Sequence, residues 1–198
     1  MSNKPINIGV VGVGHLGIHH VKHYTTIPNV NLLGIYDPDV KRSNYVAKKY
    51  KTVAFQSLKK LIENVDALSI VTPTSNHYKT AKLCIENKKH VFIEKPITVT
   101  FEEANKLLDL SKNNSTIIQV GHIERLNPAL MALEPYYIHP KFIEIQRLAP
   151  YTVRGTDVPV VLDKMIHDID ILLSLVKSEV ESLEATGMSI ITNSLDMA

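Results

Sequence analysis

The chain has 198 residues, 44% of them apolar and 21% charged, with a formal net charge of +2. That length holds one complete domain plus part of another, and the evenly spread lysines leave no basic footprint for nucleic acid. No apolar run approaches a membrane span, no secretory h-region opens the chain, and the single cysteine, Cys84, excludes an internal disulfide, so a cytoplasmic setting is expected.

In chain order, apolar β-branched runs at 6–11, 31–36, 66–71, 89–93 and 116–120 read as strands, with Val53-Ala54-Phe55 a further short one. Helical patterns at 15–26, 39–50, 57–64, 75–87 and 101–112 alternate with them. This is the signature of βαβ units, and it predicts an α/β fold: a Rossmann-type, doubly wound parallel sheet with helices on both faces over residues 1–120. In the last helix Thr100 and Glu103 form a capping-box pair, and Phe101, Ala104, Leu107 and Leu108 fall on one face expected to be core. The pattern changes after Gly121. Residues 128–135 look helical, Phe142 to Leu148 alternates as a one-sided strand, Asp163 to Val176 reads as a helix and Val180 to Ile191 as the start of another strand. A second, partial domain is therefore expected at 121–198.

The residues most informative for chemistry lie where strands end. Gly12-Val13-Gly14-His15-Leu16-Gly17 is a G-x-G-x-x-G turn between the first strand and the first helix. Its glycines permit a tight turn, close approach of the main chain to a pyrophosphate, and close packing of helix on strand, and the helix N-terminus favours the anion. Asp37 follows twenty residues after Gly17, where a carboxylate accepts hydrogen bonds from adenosine ribose hydroxyls and repels a 2′-phosphate, which argues for NAD. Lys41 and Arg42 nearby leave NADP possible. The plainer alternative makes Asp37 a helix cap with Pro38 at the first helical position. Thr72, Pro73, Asn76 and His77 are placed to line the ribose and nicotinamide side, and Thr74 serves as an N-cap.

Glu94-Lys95-Pro96 ends another strand. A lysine there, beside a bound nicotinamide, can hydrogen-bond a substrate hydroxyl and stabilise the alkoxide that forms as hydride leaves carbon. Asp163 and His167 stand four apart on a helix, a pairing suited to proton transfer. The alternative is a helix whose polar residues face water while Ile166, Ile169, Leu172 and Leu173 face a core. One histidine among carboxylates is a poor metal site, and none is expected.

These residues, with Gly121-His122-Ile123-Glu124-Arg125-Leu126-Asn127-Pro128-Ala129, resemble the glucose-fructose oxidoreductase and inositol dehydrogenase (Gfo/Idh/MocA) family along essentially the whole chain. The resemblance implies that Lys95, Asp163 and His167 contact substrate hydroxyls, with His167 the general acid/base, and that the second domain is a mostly antiparallel α+β domain, truncated here. Met165-Ile166-His167-Asp168-Ile169-Asp170 resembles the branch of UDP-N-acetylglucosamine 3-dehydrogenases. It thereby implies a sugar or nucleotide-sugar substrate, with Asn127 beside it and Arg125, Arg147 and Arg154 as candidates for its diphosphate. Longer members of the family pair into homo-oligomers through that sheet. Two other readings fit the same residues: a family glycosidase using transient redox of NAD, and an NAD-binding module or sensor without catalysis.

Overall fold

The computed structural model describes residues 4–136, 138–149 and 158–198. They divide into two compact units, one through Gly121 and one from His122 onward.

The first unit is an alternating α/β array. Strand β1 (Ile6–Val11) leads into helix α1 (His15–Tyr24), followed by β2 (Val30–Tyr36), α2 (Val40–Tyr50), β3 (Val53–Ala54), α3 (Leu58–Asn64), β4 (Ala67–Ile70), α4 (His77–Glu86), β5 (His90–Ile93), α5 (Phe101–Asn114) and β6 (Ile118–Val120). The six strands are all parallel and ordered β3-β2-β1-β4-β5-β6. The order reverses between β1 and β4, and in such sheets the crevice beyond the strand ends at that switch point receives the ligand.

Alternation of side chains along the strands builds a core on each face. Val10, Val13, Val21, Ile35, Val46 and Ala47 pack under α1 and α2. On the other face Leu61, Leu68, Ile70, Ile85, Ile93 and Leu107 join α3, α4 and α5 to the sheet. Cys84 belongs to this second core, and burial pushes its thiol up to about 12, which suits packing and not reactivity.

Local signals behave as physical chemistry requires at most termini. Thr100 Oγ1 accepts from Glu103 N–H (3.2 Å) to start α5, Ser57 caps α3, and Lys51 and Ser115 close α2 and α5 in the left-handed region. Two details differ from the sequence expectation. The buried stripe of α5 runs through Leu107 and Ser111, leaving Phe101 74% and Leu108 45% exposed. Thr74 does not cap α4: it sits buried in a 3₁₀ turn (Thr74–Asn76) that delivers the chain into the helix with no side-chain cap.

The second unit holds a 3₁₀ turn (Ile123–Leu126), a one-turn helix α6 (Pro128–Met131), a π turn (Val161–Met165) and helix α7 (Ile166–Leu175). The expected helix over 128–135 is thus a single helical turn continued by simple turns. Neither expected strand forms. Phe142 to Leu148 makes no ladder, with Phe142 82% and Leu148 93% exposed, and the 180–191 segment contributes only an isolated antiparallel bridge, Met188 to Met197. Period-two alternation describes which side chains suit a sheet face, but a strand exists only when a neighbour takes up its N–H and C=O groups, and among the described residues none does. No helix among the described residues is long and apolar enough to cross a membrane.

Candidate functional site

The glycine turn has the shape that a dinucleotide requires. Gly12 adopts φ +86°, and a Cβ there would lie 2.6 Å from the Val71 carbonyl oxygen. Gly17 is tighter still, since its Cβ would stand 2.0 Å from Gly12 O, within covalent-like overlap of backbone. Gly14 differs, because a Cβ there meets nothing within 4 Å. Its open side is where a pyrophosphate can approach the main chain. Gly14 is also the N-cap of α1, and neither a side-chain cap nor an acidic first-turn residue occupies that helix end, so the dipole and N–H groups suit an anion. His15 and Leu16, the first residues of α1, lie on this rim and are exposed.

Asp37 ends β2 beside the turn and is 5% exposed. Its Oδ2 accepts from Val13 N–H (2.8 Å) and its Oδ1 from Asp39 N–H (2.9 Å). The carboxylate therefore fastens the glycine turn to the β2 end, with lone pairs left for ribose hydroxyls. It does not cap α2: that is done by Asp39, which accepts from Arg42 N–H, and Pro38 lies outside the helix. Arg42 reaches Asp37 (3.6 Å) and Asp39 (3.3 Å), so its guanidinium is compensated by two carboxylates and poorly placed to recruit a 2′-phosphate. Asp37→Ala is expected to weaken NADH binding and to raise the NADPH:NADH affinity ratio, as read by titrating both cofactors. An unchanged ratio would remove the ribose role.

After β4, Thr72, Pro73 and Asn76 stand at the same sheet edge, whereas His77 is corrected by the structure. It is 1% exposed, with ring nitrogens 2.9 Å from Pro96 O and 2.8 Å from Thr72 O. A ring with both nitrogens engaged inside the protein has none left for a cofactor, so His77 ties two loops together. Glu94 and Lys95 follow β5, and the Lys95–Pro96 peptide is cis. Glu94 Oε1 lies 3.0 Å from His20 Nε2, and Oε2 accepts from Lys95 N–H (3.3 Å). His20, Ser69 and Tyr24 around it carry no motif. The available signal is the serine within Ala67-Leu68-Ser69-Ile70, a polar residue in a strand buried on both faces, which needs a partner.

In the second unit, Asp163 lies in the π turn and His167 is the second residue of α7. The wider winding at 161–165 replaces the plain α-helical i, i+4 geometry expected there; such turns recur at functional sites. The water-facing reading of α7 is reversed. Asp168 and Asp170 are each 8% exposed, whereas Ile169 and Leu173 are 41% and 51% exposed.

The reason is a pair of forked ion pairs. Arg147 donates to Asp168 through Nε (2.8 Å) and Nη2 (2.7 Å), and Arg125 donates to Asp170 through the same atoms at 2.6 Å each. The charge of each buried carboxylate is met by a guanidinium in fork geometry. Arg125 and Arg147, the candidates for a diphosphate, are thus each forked onto a carboxylate of α7; Arg154 lies outside the described residues. Asn127 is likewise a cap, its side-chain oxygen accepting from Ala129 N–H and its amide donating to Glu124. A cavity of about 290 Å³ opens beside the Arg147–Asp168 pair, lined by Ile143, Ile145, Met165 and Leu172, and neither Asp163 nor His167 lines it. Among the described residues no group of three or more His, Cys, Asp or Glu is arranged to hold a metal ion.

The hydrogen bonds from Arg125 hold the Asp170 carboxyl below its ordinary range, with His122 and His167 adding to the effect. A depressed carboxylate stabilises the fold above its unfolded pKa of about 4 and loses that contribution as pH falls through the folded value. Arg125→Ala is therefore expected to lower Tm at neutral pH, with the gap from wild type closing as pH drops below about 4. A gap independent of pH in thermal melts would show that Arg125 acts through packing alone.

A parallel sheet of order 3-2-1-4-5-6, a glycine turn open at its second glycine and an acid after β2 together define a dinucleotide-binding domain. Residues 6–122 match the model of the oxidoreductase family with an NAD-binding Rossmann fold. The chain belongs to that family, the glucose-fructose oxidoreductase and inositol dehydrogenase family, and its first unit is the family's NAD-binding domain.

It is 39% identical over 191 residues to UDP-N-acetylglucosamine 3-dehydrogenase of Acidithiobacillus ferrooxidans, covering 96% of this chain and 60% of that protein. It is 30% identical over 198 residues to scyllo-inositol 2-dehydrogenase (NAD(+)) of Bacillus subtilis, covering 92% and 57%. A solved structure of the Acidithiobacillus enzyme superposes with TM-score 0.89 at 37% identity over 96% of this chain and 61% of that one. An NAD-binding protein from Listeria innocua superposes with TM-score 0.76 at 26% identity, covering 88% and 56%. The chain thus spans about 60% of the length of these relatives.

Proposed function

We propose that this chain carries the cofactor domain and the catalytic helix of an NAD-dependent dehydrogenase acting on a secondary alcohol of a nucleotide sugar of the UDP-N-acetylglucosamine class. The observation that carries the reading is the sheet edge itself: the glycine turn, Asp37 and Glu94-Lys95-Pro96 stand at the ends of β1, β2 and β5, around the switch point. The 39% identity to a UDP-N-acetylglucosamine 3-dehydrogenase narrows the substrate class.

Gly12, Gly14 and Gly17 with the N-terminus of α1 would hold the pyrophosphate, and Asp37 the adenosine ribose. Bound there, NAD supplies a hydride acceptor. Lys95 donates a hydrogen bond to the reacting hydroxyl oxygen and stabilises the negative charge that develops on it. His167 takes the hydroxyl proton on a ring nitrogen, and Asp163 orients either that ring or a neighbouring hydroxyl. Residues 1–120 form the cofactor domain and 121–198 part of the substrate domain.

The deciding experiment incubates the protein with NAD and a panel of UDP-sugars, inositols and simple hexoses, following NADH absorbance. NADH formed with a UDP-sugar and not with the others supports the reading. Turnover only with an inositol or hexose overturns the substrate class, and NADH binding without turnover on any member overturns the enzyme assignment for this chain.

A further inference from the structure

Beside the apolar core under α1 runs a chain of hydrogen-bonding side chains to which the proposed chemistry assigns no step. Ser69 is fully buried in β4, and Tyr24 at the end of α1 stands beside the His20 ring, with centroids 6.4 Å apart. Ser69 Oγ lies 2.9 Å from His20 Nδ1, and His20 Nε2 lies 3.0 Å from Glu94 Oε1. The His20 ring also stands edge-on to Phe92, with centroids 5.6 Å apart. One arrangement satisfies all three: Ser69 O–H donates to His20 Nδ1, and His20 Nε2–H donates to the Glu94 carboxylate.

We propose that His20 is a positioning residue for Lys95, acting through Glu94. The inference rests on the reading that Lys95 meets a substrate hydroxyl. Glu94 leaves the sheet with its N–H donating to Ile70 O (3.1 Å), and its side chain folds back so that Oε2 accepts from Lys95 N–H (3.3 Å). That second contact fixes the Lys95 peptide only while the carboxylate itself is anchored, and His20 anchors it. The end of β6 closes over the same group, since a Cβ at Gly121 would lie 2.9 Å from Glu94 Oε1.

The segment is gripped from the other face as well, where His77 at the start of α4 holds the Pro96 carbonyl. Lys95 is thus carried on three residues tied to α1 below and α4 above, which restricts where its side chain can leave the sheet edge. Apolar residues in place of His20 and Ser69 would fill the same volume without burying polar atoms. What the polar chain adds is direction, because hydrogen bonds fix an angle that packing does not.

The test compares wild type with His20→Phe, which keeps ring packing on Phe92 but has no donor, and His20→Gln, which returns an N–H within reach of Glu94. Lysines are dimethylated with carbon-13 formaldehyde, and the Lys95 resonance is identified by its loss in Lys95→Arg. His20→Phe is expected to shift that resonance while the other lysine resonances stay, and His20→Gln to return it toward wild type. NADH affinity should stay within about threefold in both, and turnover in His20→Phe should drop about tenfold or more, with partial recovery in His20→Gln.

An unmoved Lys95 resonance in a His20→Phe protein that binds NADH overturns the proposal, as does a Gln variant indistinguishable from Phe. If His20→Phe does not fold, Ser69→Ala breaks the same chain one bond further away and must move the resonance in its place. Failure of every UDP-sugar to yield NADH would sink the proposed reaction, while the lysine resonance would still decide the role of His20.

Discussion

Gly17→Ala is expected to destroy NADH binding and to destabilise the first unit by about 3 kcal/mol or more, at the upper end of overpacking costs. The added methyl would stand 2.0 Å from Gly12 O and 2.9 Å from Gly12 C. Both are backbone atoms of the same turn, so no side chain can swing aside; either α1 lifts from β1 or the turn opens. Replacing glycine by alanine in a helix ordinarily stabilises a protein slightly by restricting the unfolded chain, which makes a large loss here diagnostic of the close approach. Gly14→Ala provides the contrast. With nothing within 4 Å of its Cβ, that variant should keep wild-type Tm and lose affinity only for the dinucleotide. Thermal melts and NADH fluorescence titrations of the two proteins check both halves. A Gly17→Ala protein with wild-type Tm and affinity would refute the packing account.

His167→Ala should lower kcat by about 10²–10⁴-fold, the usual contribution of a positioned acid/base, with NADH affinity unchanged. Affinity is spared because the NAD-binding family match lies within residues 6–122. Lys95→Ala should also act on kcat, through the lost stabilisation of the alkoxide. The two differ in proton dependence: removing the base should flatten the pH profile of kcat/KM on its acid side, whereas removing Lys95 should lower the profile and preserve its acid limb. Near wild-type turnover of His167→Ala with a UDP-sugar would reassign the base.

Much of the first unit was legible because its signals are local. Alternating strand and helix periods, the turn from Gly12 to Gly17 and the Thr100 cap each concern residues close in sequence, and each strand and helix of the unit occurs within a few residues of its expected place. What the sequence leaves open lies where a side chain's partner is distant. The sequence leaves both a ribose role and a helix cap open for Asp37, and its bond from Val13 N–H, 24 residues away, shows in neither reading. A histidine after a strand end suits a cofactor contact, yet His77 closes a loop onto Pro96, 19 residues on. Residue type marks Arg125 and Arg147 as anion binders without showing which anions; the carboxylates that pair with them lie 45 and 21 residues later on α7. The alternation in Phe142 to Leu148 suits a sheet face, but no strand forms there, because a strand depends on a neighbour that no property of those seven residues supplies.

Hydrophobic period and glycine placement by themselves determined the class of fold and the dinucleotide turn, because these follow from backbone geometry and burial of one face at a time, whereas the strand order and its switch point came with the pairing of the strands. Tertiary structure alone decided which charged groups are available and which are spent. It turned Asp168 and Asp170 inward onto arginines, and it joined Ser69, His20 and Glu94 into one chain beneath Lys95. The physical reason is that a polar side chain has several acceptable partners in water but must find a particular one when buried, and only the folded chain brings that partner within hydrogen-bonding distance.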